Sequence, residues 1–136
     1  TTSSDVASLD CVYKLQEYAG FSRRKRSTGK ATWPGRKQVW RSYAVDGRMA
    51  ADVLSVENDE HNGEPLIELV MQGGRRVTPS PPLAAIRERA ACDLARLPEP
   101  LRRLDPDAGY PVQIGARLLR LADEVDTRLS GQQTTR

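Results

Sequence analysis

The sequence predicts an α+β fold, with about five mostly antiparallel strands followed by two amphipathic helices. Two observations predict it. Short β-rich or alternating runs, separated by Gly- and Pro-containing turns, occupy residues 10–78. From residue 79 onward apolar side chains instead recur at spacings of three and four. Strands grouped first and helices grouped last give segregated layers, not an alternating parallel sheet. The 136 residues suit one domain or a piece of a larger one. With 38% apolar residues and a single Phe, the core rests on Leu, Val and Ala. That core is thin, which points to part of it lying elsewhere.

Residues 1–9 are rich in Ser and Thr and read as a loop. Asp10–Tyr18 alternates, with Val12, Lys14, Gln16 and Tyr18 opposite Cys11, Tyr13, Leu15 and Glu17, as in a strand covered on one face. Gly20 ends it. Ser22–Ser27 is a second extended run whose charges suit an edge. Thr28-Gly29 and Pro34-Gly35 are turn signals around the short extended piece Ala31–Trp33. Lys37–Val45 carries Val39, Trp40, Tyr43 and Val45 and predicts a strand. Asp46-Gly47 turns the chain into a partner strand, Arg48–Val56. An acidic loop, Glu57–Glu64, leads to Pro65–Met71, the most apolar strand candidate. Gly73-Gly74 and a short extended Arg75–Thr78 follow, closing a basic β-rich segment over residues 10–78.

The helical segment spans residues 79–130. Ser80 is placed to cap and Pro81 to occupy the first helical position. Leu83, Ile86, Ala90, Leu94 and Leu97 then form one apolar face. Pro98 and Pro100 interrupt the helix, and Leu101 and Leu104 continue the face in a short separate turn. Tyr110–Val112 is extended. Ala116, Leu118, Leu121, Ala122, Val125 and Leu129 mark a second amphipathic helix that stops near Gly131, leaving residues 131–136 as a disordered tail.

The charge is uneven. Arg23–Arg41 holds eight basic residues and no acidic one, whereas the rest of the chain has thirteen basic against eighteen acidic. Such a block calls for phosphate or carboxylate neighbours. It is not a P-loop, because Arg24 stands where the first Gly belongs and Ala31 follows Lys30. Arg23–Arg26 with Trp33 and Trp40 offer phosphate contacts and stacking platforms, so a small basic module binding nucleic acid or another polyanion is one reading. The other is a solvated charged face with both Trp residues packed inside. The single His, His61, lies in an acidic loop with Glu57, Asp59 and Glu60, whose spacing matches no strong metal site. Cys11 and Cys92 have no CxxC spacing and no basic neighbour, which fits reduced, unreactive thiols. No run approaches a membrane helix and no signal-peptide core opens the chain, so it reads as soluble and cytoplasmic.

The order of these residues is more specific than their charge. VYKL (12–15), S-x-GK-x-T-x-PGRKQVWR (27–41), GEPL (63–66), GGRRV (73–77), LARLPEPLRRL (94–104) and YPV (110–112) occur in that order. The chain thereby resembles nicotinate phosphoribosyltransferase, in the C-terminal part that follows most of the barrel. The resemblance implies a piece of a type II phosphoribosyltransferase, an irregular α/β barrel beside a sheet domain, with residues 1–9 leaving the barrel. It implies an ATP-dependent enzyme of NAD salvage, acting on nicotinate and phosphoribosyl pyrophosphate with Mg2+, and a homodimer when complete. It also implies that the phosphorylated catalytic histidine lies before residue 1, that the barrel and N-terminal segment are missing here, and that this piece alone binds no cofactor and is inactive. The ligand-facing candidates are Lys14, upstream of the block, and Lys30, Arg36, Lys37 and Arg41 within it. The alternative role for Arg36 and Arg41 is to hold the sheet to the barrel or to the other subunit.

Overall fold

The structure, a computed structural model, describes residues 14–27, 29–103 and 109–133. Its contacts divide the chain into two compact units. One combines residues up to Arg36 with those from Leu121 onward, and the other is Lys37–Arg120.

The first unit opens with two small antiparallel hairpins, β1 (Glu17–Tyr18) with β2 (Phe21–Ser22), and β3 (Arg26–Ser27) with β4 (Lys30–Ala31). The expected strand over 10–18 is therefore mostly not one. Only Glu17 and Tyr18 are strand, and residues 10–13 lie outside the described residues. The cause is the turn at Ala19-Gly20, both at positive φ (49° and 76°), which reverses the chain at once. The Gln16 carbonyl accepts the N–H groups of Arg23 and Gly35, each at 2.8 Å. The expected strand Ser22–Ser27 likewise divides, with residues 23–25 linking β2 to β3. The Lys25 N–H donates to Thr32 Oγ1 (3.0 Å) and the Thr32 N–H to the Lys25 carbonyl (3.1 Å), pinning the second hairpin at its base. Gly35, at φ 72°, is required here: a Cβ would stand 2.9 Å from Leu121 Cδ2 and 3.1 Å from Ser22 Oγ.

In the second unit β5 (Lys37–Tyr43) and β6 (Met49–Val56) form the main antiparallel pair, in register from Lys37↔Val56 to Trp40↔Val53 and Arg41↔Asp52. This is the hairpin expected around Asp46-Gly47, with Gly47 at φ 78°. A register shift between Ser42 and Tyr43, which pair with Ala51 and Met49, leaves Ala50 of β6 as the extra, bulged residue. β7 (Glu64–Pro65) pairs with the outer edge of β5. The strand expected over 65–71 does not continue. The Leu66 N–H still donates to the Val39 carbonyl (2.9 Å), and beyond it the Gln38 side chain takes over the ladder: its amide donates to the Ile67 carbonyl and its Oε1 accepts the Ile67 N–H, both at 2.9 Å. Met71–Gln72 (β8) instead pairs with Arg75–Arg76 (β9) across Gly73-Gly74.

The helix α1 is Leu83–Arg96. It begins after Pro82 with no side-chain cap, so Ser80 does not cap it as expected. Consecutive prolines at 81 and 82 push each preceding residue into extended backbone and delay the helix. α2 (Glu99–Arg102) is the short separate turn. β10 (Val112–Ile114) then pairs parallel to β6, opposite Asp52, Val53 and Leu54, giving a sheet in the order β10-β6-β5-β7. α3 (Ala116–Gln133) follows and runs past Gly131, so Gly131, Gln132 and Gln133 are helical. Its residues from Leu121 belong to the first unit.

Among the described residues the buried hydrophobic side chains are Met49 and Leu118 in the second unit and Ala122 and Val125 in the first. Ser55, fully buried, ties β6 inward: its Oγ accepts from Trp40 Nε1 and lies within donating distance of the Val56 and Asp59 carbonyls, all at 3.1 Å. The apolar segment Leu66–Met71 and the whole of α1 are exposed.

Gly63, at φ 134°, packs on β5 so that a Cβ would lie 2.5 Å from the Arg41 carbonyl oxygen, whereas nothing surrounds Gly73. Gly63→Ala is expected to lower unfolding stability by about 3 kcal/mol, and Gly73→Ala, with only its φ of 57° to strain it, by about 1 kcal/mol. Urea unfolding of the two variants measures the difference.

Candidate functional site

The five candidate cations fall into both units. Lys14, Lys30 and Arg36 belong to the first, Lys37 and Arg41 to the second. Lys14 is exposed in the irregular segment before β1, and Lys30 sits on β4 opposite Ser27. Arg36 is exposed, its Nε 3.1 Å from Glu17 Oε1. Lys37 is half-buried at the start of β5.

Arg41 has a different environment. On β5 it faces Asp52 of β6, donating from Nε to Oδ1 (2.9 Å) and from Nη2 to Oδ2 (2.8 Å). The Tyr110 hydroxyl donates to the same Oδ1 at 2.9 Å, and the guanidinium lies over the Tyr110 ring. The Asp52 side chain is 11% exposed, so the carboxylate needs these donors to remain charged. The Arg41 hydrogen bond, with that of Tyr110 behind it, holds the Asp52 carboxyl below the usual carboxylate range against the opposing effect of burial. Burial and the bond to Asp52 in turn push the Tyr110 phenol up. The guanidinium of Arg41 is thus part of the sheet's own fabric.

The first unit sorts the remaining block by exposure. Along residues 23–25, Arg23 and Lys25 are exposed and Arg24 is turned in, its side chain 10% exposed. Exposure thus alternates along this linking segment, as it does wherever successive side chains point to opposite sides. Arg24 Nη1 donates to Asp126 Oδ2 of α3 at 3.3 Å, and its guanidinium lies over the Trp33 ring. Arg128, two residues along α3, donates to the Ser22 carbonyl at 2.6 Å and lies over Phe21, as Arg23 also does. Arg23 and Lys25 are outward-facing cations that the five-residue list passed over. The basic run alone gives no phase for the alternation, so no local signal separates them from Arg24.

Neither Trp is an open stacking platform. Trp33 and Trp40 are half-buried, one under Arg24 and the other bonded to Ser55. His61 Nε2 lies 3.3 Å from Asp59 Oδ2, and Arg117 lies 3.7 Å from Asp59 Oδ1. Among the described residues no group of three or more His, Cys, Asp or Glu side chains is arranged to hold a metal ion. No helix among them is long and apolar enough to cross a membrane. Cys92 is exposed on α1.

The fold built from these elements is that of the C-terminal part of a phosphoribosyltransferase. It superposes on the crystal structure of human nicotinic acid phosphoribosyltransferase with a TM-score of 0.71 and 29% identity, covering 84% of this chain and 26% of that one. Residues 59–122 match the nicotinate phosphoribosyltransferase C-terminal domain. The Mycobacterium tuberculosis nicotinate phosphoribosyltransferase pncB2 is 37% identical over 119 residues, covering 86% of this chain, and the Bos taurus nicotinate phosphoribosyltransferase is 32% identical over 146 residues, covering 89%. The chain belongs to the nicotinate phosphoribosyltransferase family and corresponds to its C-terminal part. It spans about a quarter of the length of these relatives, 26% and 27%.

Asp52→Asn removes one partner of a largely buried ion pair and is expected to cost about 3–5 kcal/mol near neutral pH. Because the folded carboxyl titrates below its unfolded value of about 3.9, its contribution is complete above that value and fades as pH falls below it. Asp52→Asn should therefore flatten the acid limb of the stability curve, as followed by urea unfolding between neutral pH and the acid limit of folding.

Proposed function

We propose that this chain is the C-terminal part of an enzyme that joins nicotinate to phosphoribosyl pyrophosphate, giving nicotinate mononucleotide and pyrophosphate, with ATP hydrolysis driving the reaction. The observation that carries this reading is the 37% identity to a nicotinate phosphoribosyltransferase across 119 residues, supported by the fold match. The exposed apolar faces of Leu66–Met71 and α1 suit a chain that is one portion of a larger enzyme. In this reading the cations of the first unit serve a phosphate-handling site: Lys14, Lys30 and Arg36, joined by Arg23 and Lys25, supply charge toward the polyphosphate ligands, and Lys37 of the second unit is a separate candidate. Arg41, spent on Asp52, supports the sheet.

His61 is not assigned the phosphorylated role, which belongs to a histidine before residue 1. Mg2+ is not assigned to residues of this chain either, since the described side chains do not fit a metal ion. Its place is with the ligands' phosphates. The complete enzyme is proposed to be a cytoplasmic homodimer, and the isolated chain to be inactive. Binding of nucleic acid is the lesser reading, because half-buried Trp33 and Trp40 offer poor stacking surfaces.

The test is formation of nicotinate mononucleotide from nicotinate, phosphoribosyl pyrophosphate and ATP. The intact gene product should turn over and residues 1–136 alone should not. No product from the intact protein would sink the assignment, and turnover by the short chain would sink the inactivity. His61→Gln in the intact protein should leave kcat/KM within about twofold, whereas loss of a phosphorylated histidine would abolish ATP-dependent stimulation.

A further inference from the structure

Unit one pairs charges of opposite sign from distant parts of the sequence. Residues 14–36 hold seven basic residues and one acidic residue, while residues 121–133 hold three acidic and one basic. The contact between them is specific. Asp126 reaches Arg24, 102 positions away, and Arg128 closes on the Ser22 carbonyl. Arg24 is nine-tenths buried, and its Nε–H has no acceptor among the described residues, so its charge leans on the bond to Asp126 and on the Trp33 face. If that bond is lost, the favoured response of a buried guanidinium is to turn outward. In an extended run, turning one residue out turns its two neighbours in.

We propose that Asp126, acting through Arg24, is a positioning residue that keeps Arg23 and Lys25 facing the ligand side of the basic block. Which anion they face rests on the phosphate-handling reading above; the positioning itself does not. The link explains why the end of α3 belongs with the first hairpins: it sets the phase of an alternation that the basic run leaves undetermined.

The experiment measures binding of inorganic pyrophosphate to the intact gene product by calorimetry at low salt. Tryptophan emission and thermal midpoint are recorded in parallel, and KM for phosphoribosyl pyrophosphate is measured where turnover is present. Asp126→Asn should weaken pyrophosphate binding roughly tenfold and raise KM with kcat largely kept. Asp126→Glu should restore both. Val125→Ala, a buried neighbour on the same helix, should lower the thermal midpoint without moving the affinity. The double exchange Arg24→Asp with Asp126→Arg, which re-forms the pair with its polarity reversed, should recover both the midpoint and the pyrophosphate affinity, and recovery of the midpoint alone would overturn the proposal. Equal loss of affinity in Val125→Ala and Asp126→Asn would overturn the proposal, reducing Asp126 to a stability role. Unchanged affinity in Asp126→Asn would overturn it as well, as would binding of single-stranded oligonucleotide that pyrophosphate fails to displace. Failure to form nicotinate mononucleotide, with the affinity pattern intact, would instead count against the enzyme assignment alone.

Discussion

The sheet of the second unit depends on a single carboxylate. Asp52 projects from β6 into a largely buried position, and burying a charge is unfavourable unless donors replace water. Arg41 from β5 gives two hydrogen bonds and Tyr110, from the approach to β10, gives a third. The Asp52 N–H meanwhile donates to the Pro111 carbonyl. One residue thus joins three strands: its partner across the hairpin, its own, and the parallel strand that returns after both helices of the middle region. The parallel pairing needs such an anchor, because β10 is only three residues long and arrives from a distant part of the sequence.

This arrangement changes the meaning of the basic block. As a run of charge, residues 23–41 look like one surface. Physically they are several populations. Arg41 is neutralised within a sheet, Arg24 is neutralised by a helix and Arg36 pairs at the surface with Glu17, while Arg23 and Lys25 face solvent. A buried cation with a matched carboxylate stabilises or orients. An exposed one remains available to a mobile anion. The division also falls across the two units, so the block is not a single structural element.

Hydrophobic pattern predicted α1, α3 and the β5–β6 hairpin to within a few residues, because each is a long periodic run with strong turn signals at its ends. It failed at short elements. Residues 10–18 alternate as a strand would, yet the positive-φ turn at Ala19-Gly20 leaves two residues paired. Leu66–Val70 has strand composition, but after Leu66 the Gln38 side chain replaces the backbone ladder. Ser80 has capping chemistry, but two prolines move the helix start beyond its reach.

The sequence by itself determined the α+β class, the main hairpin, the two long helices and, through ordered motifs of which PGRKQVWR is the most specific, the family. These are properties of local periodicity and residue order. Only the tertiary structure decided which charges are free. Arg41 and Asp52 are eleven positions apart and Arg24 and Asp126 are 102 apart. Partnership over such distances is set by which faces the fold brings together, and the burial that makes each pairing obligatory exists only once the chain has folded.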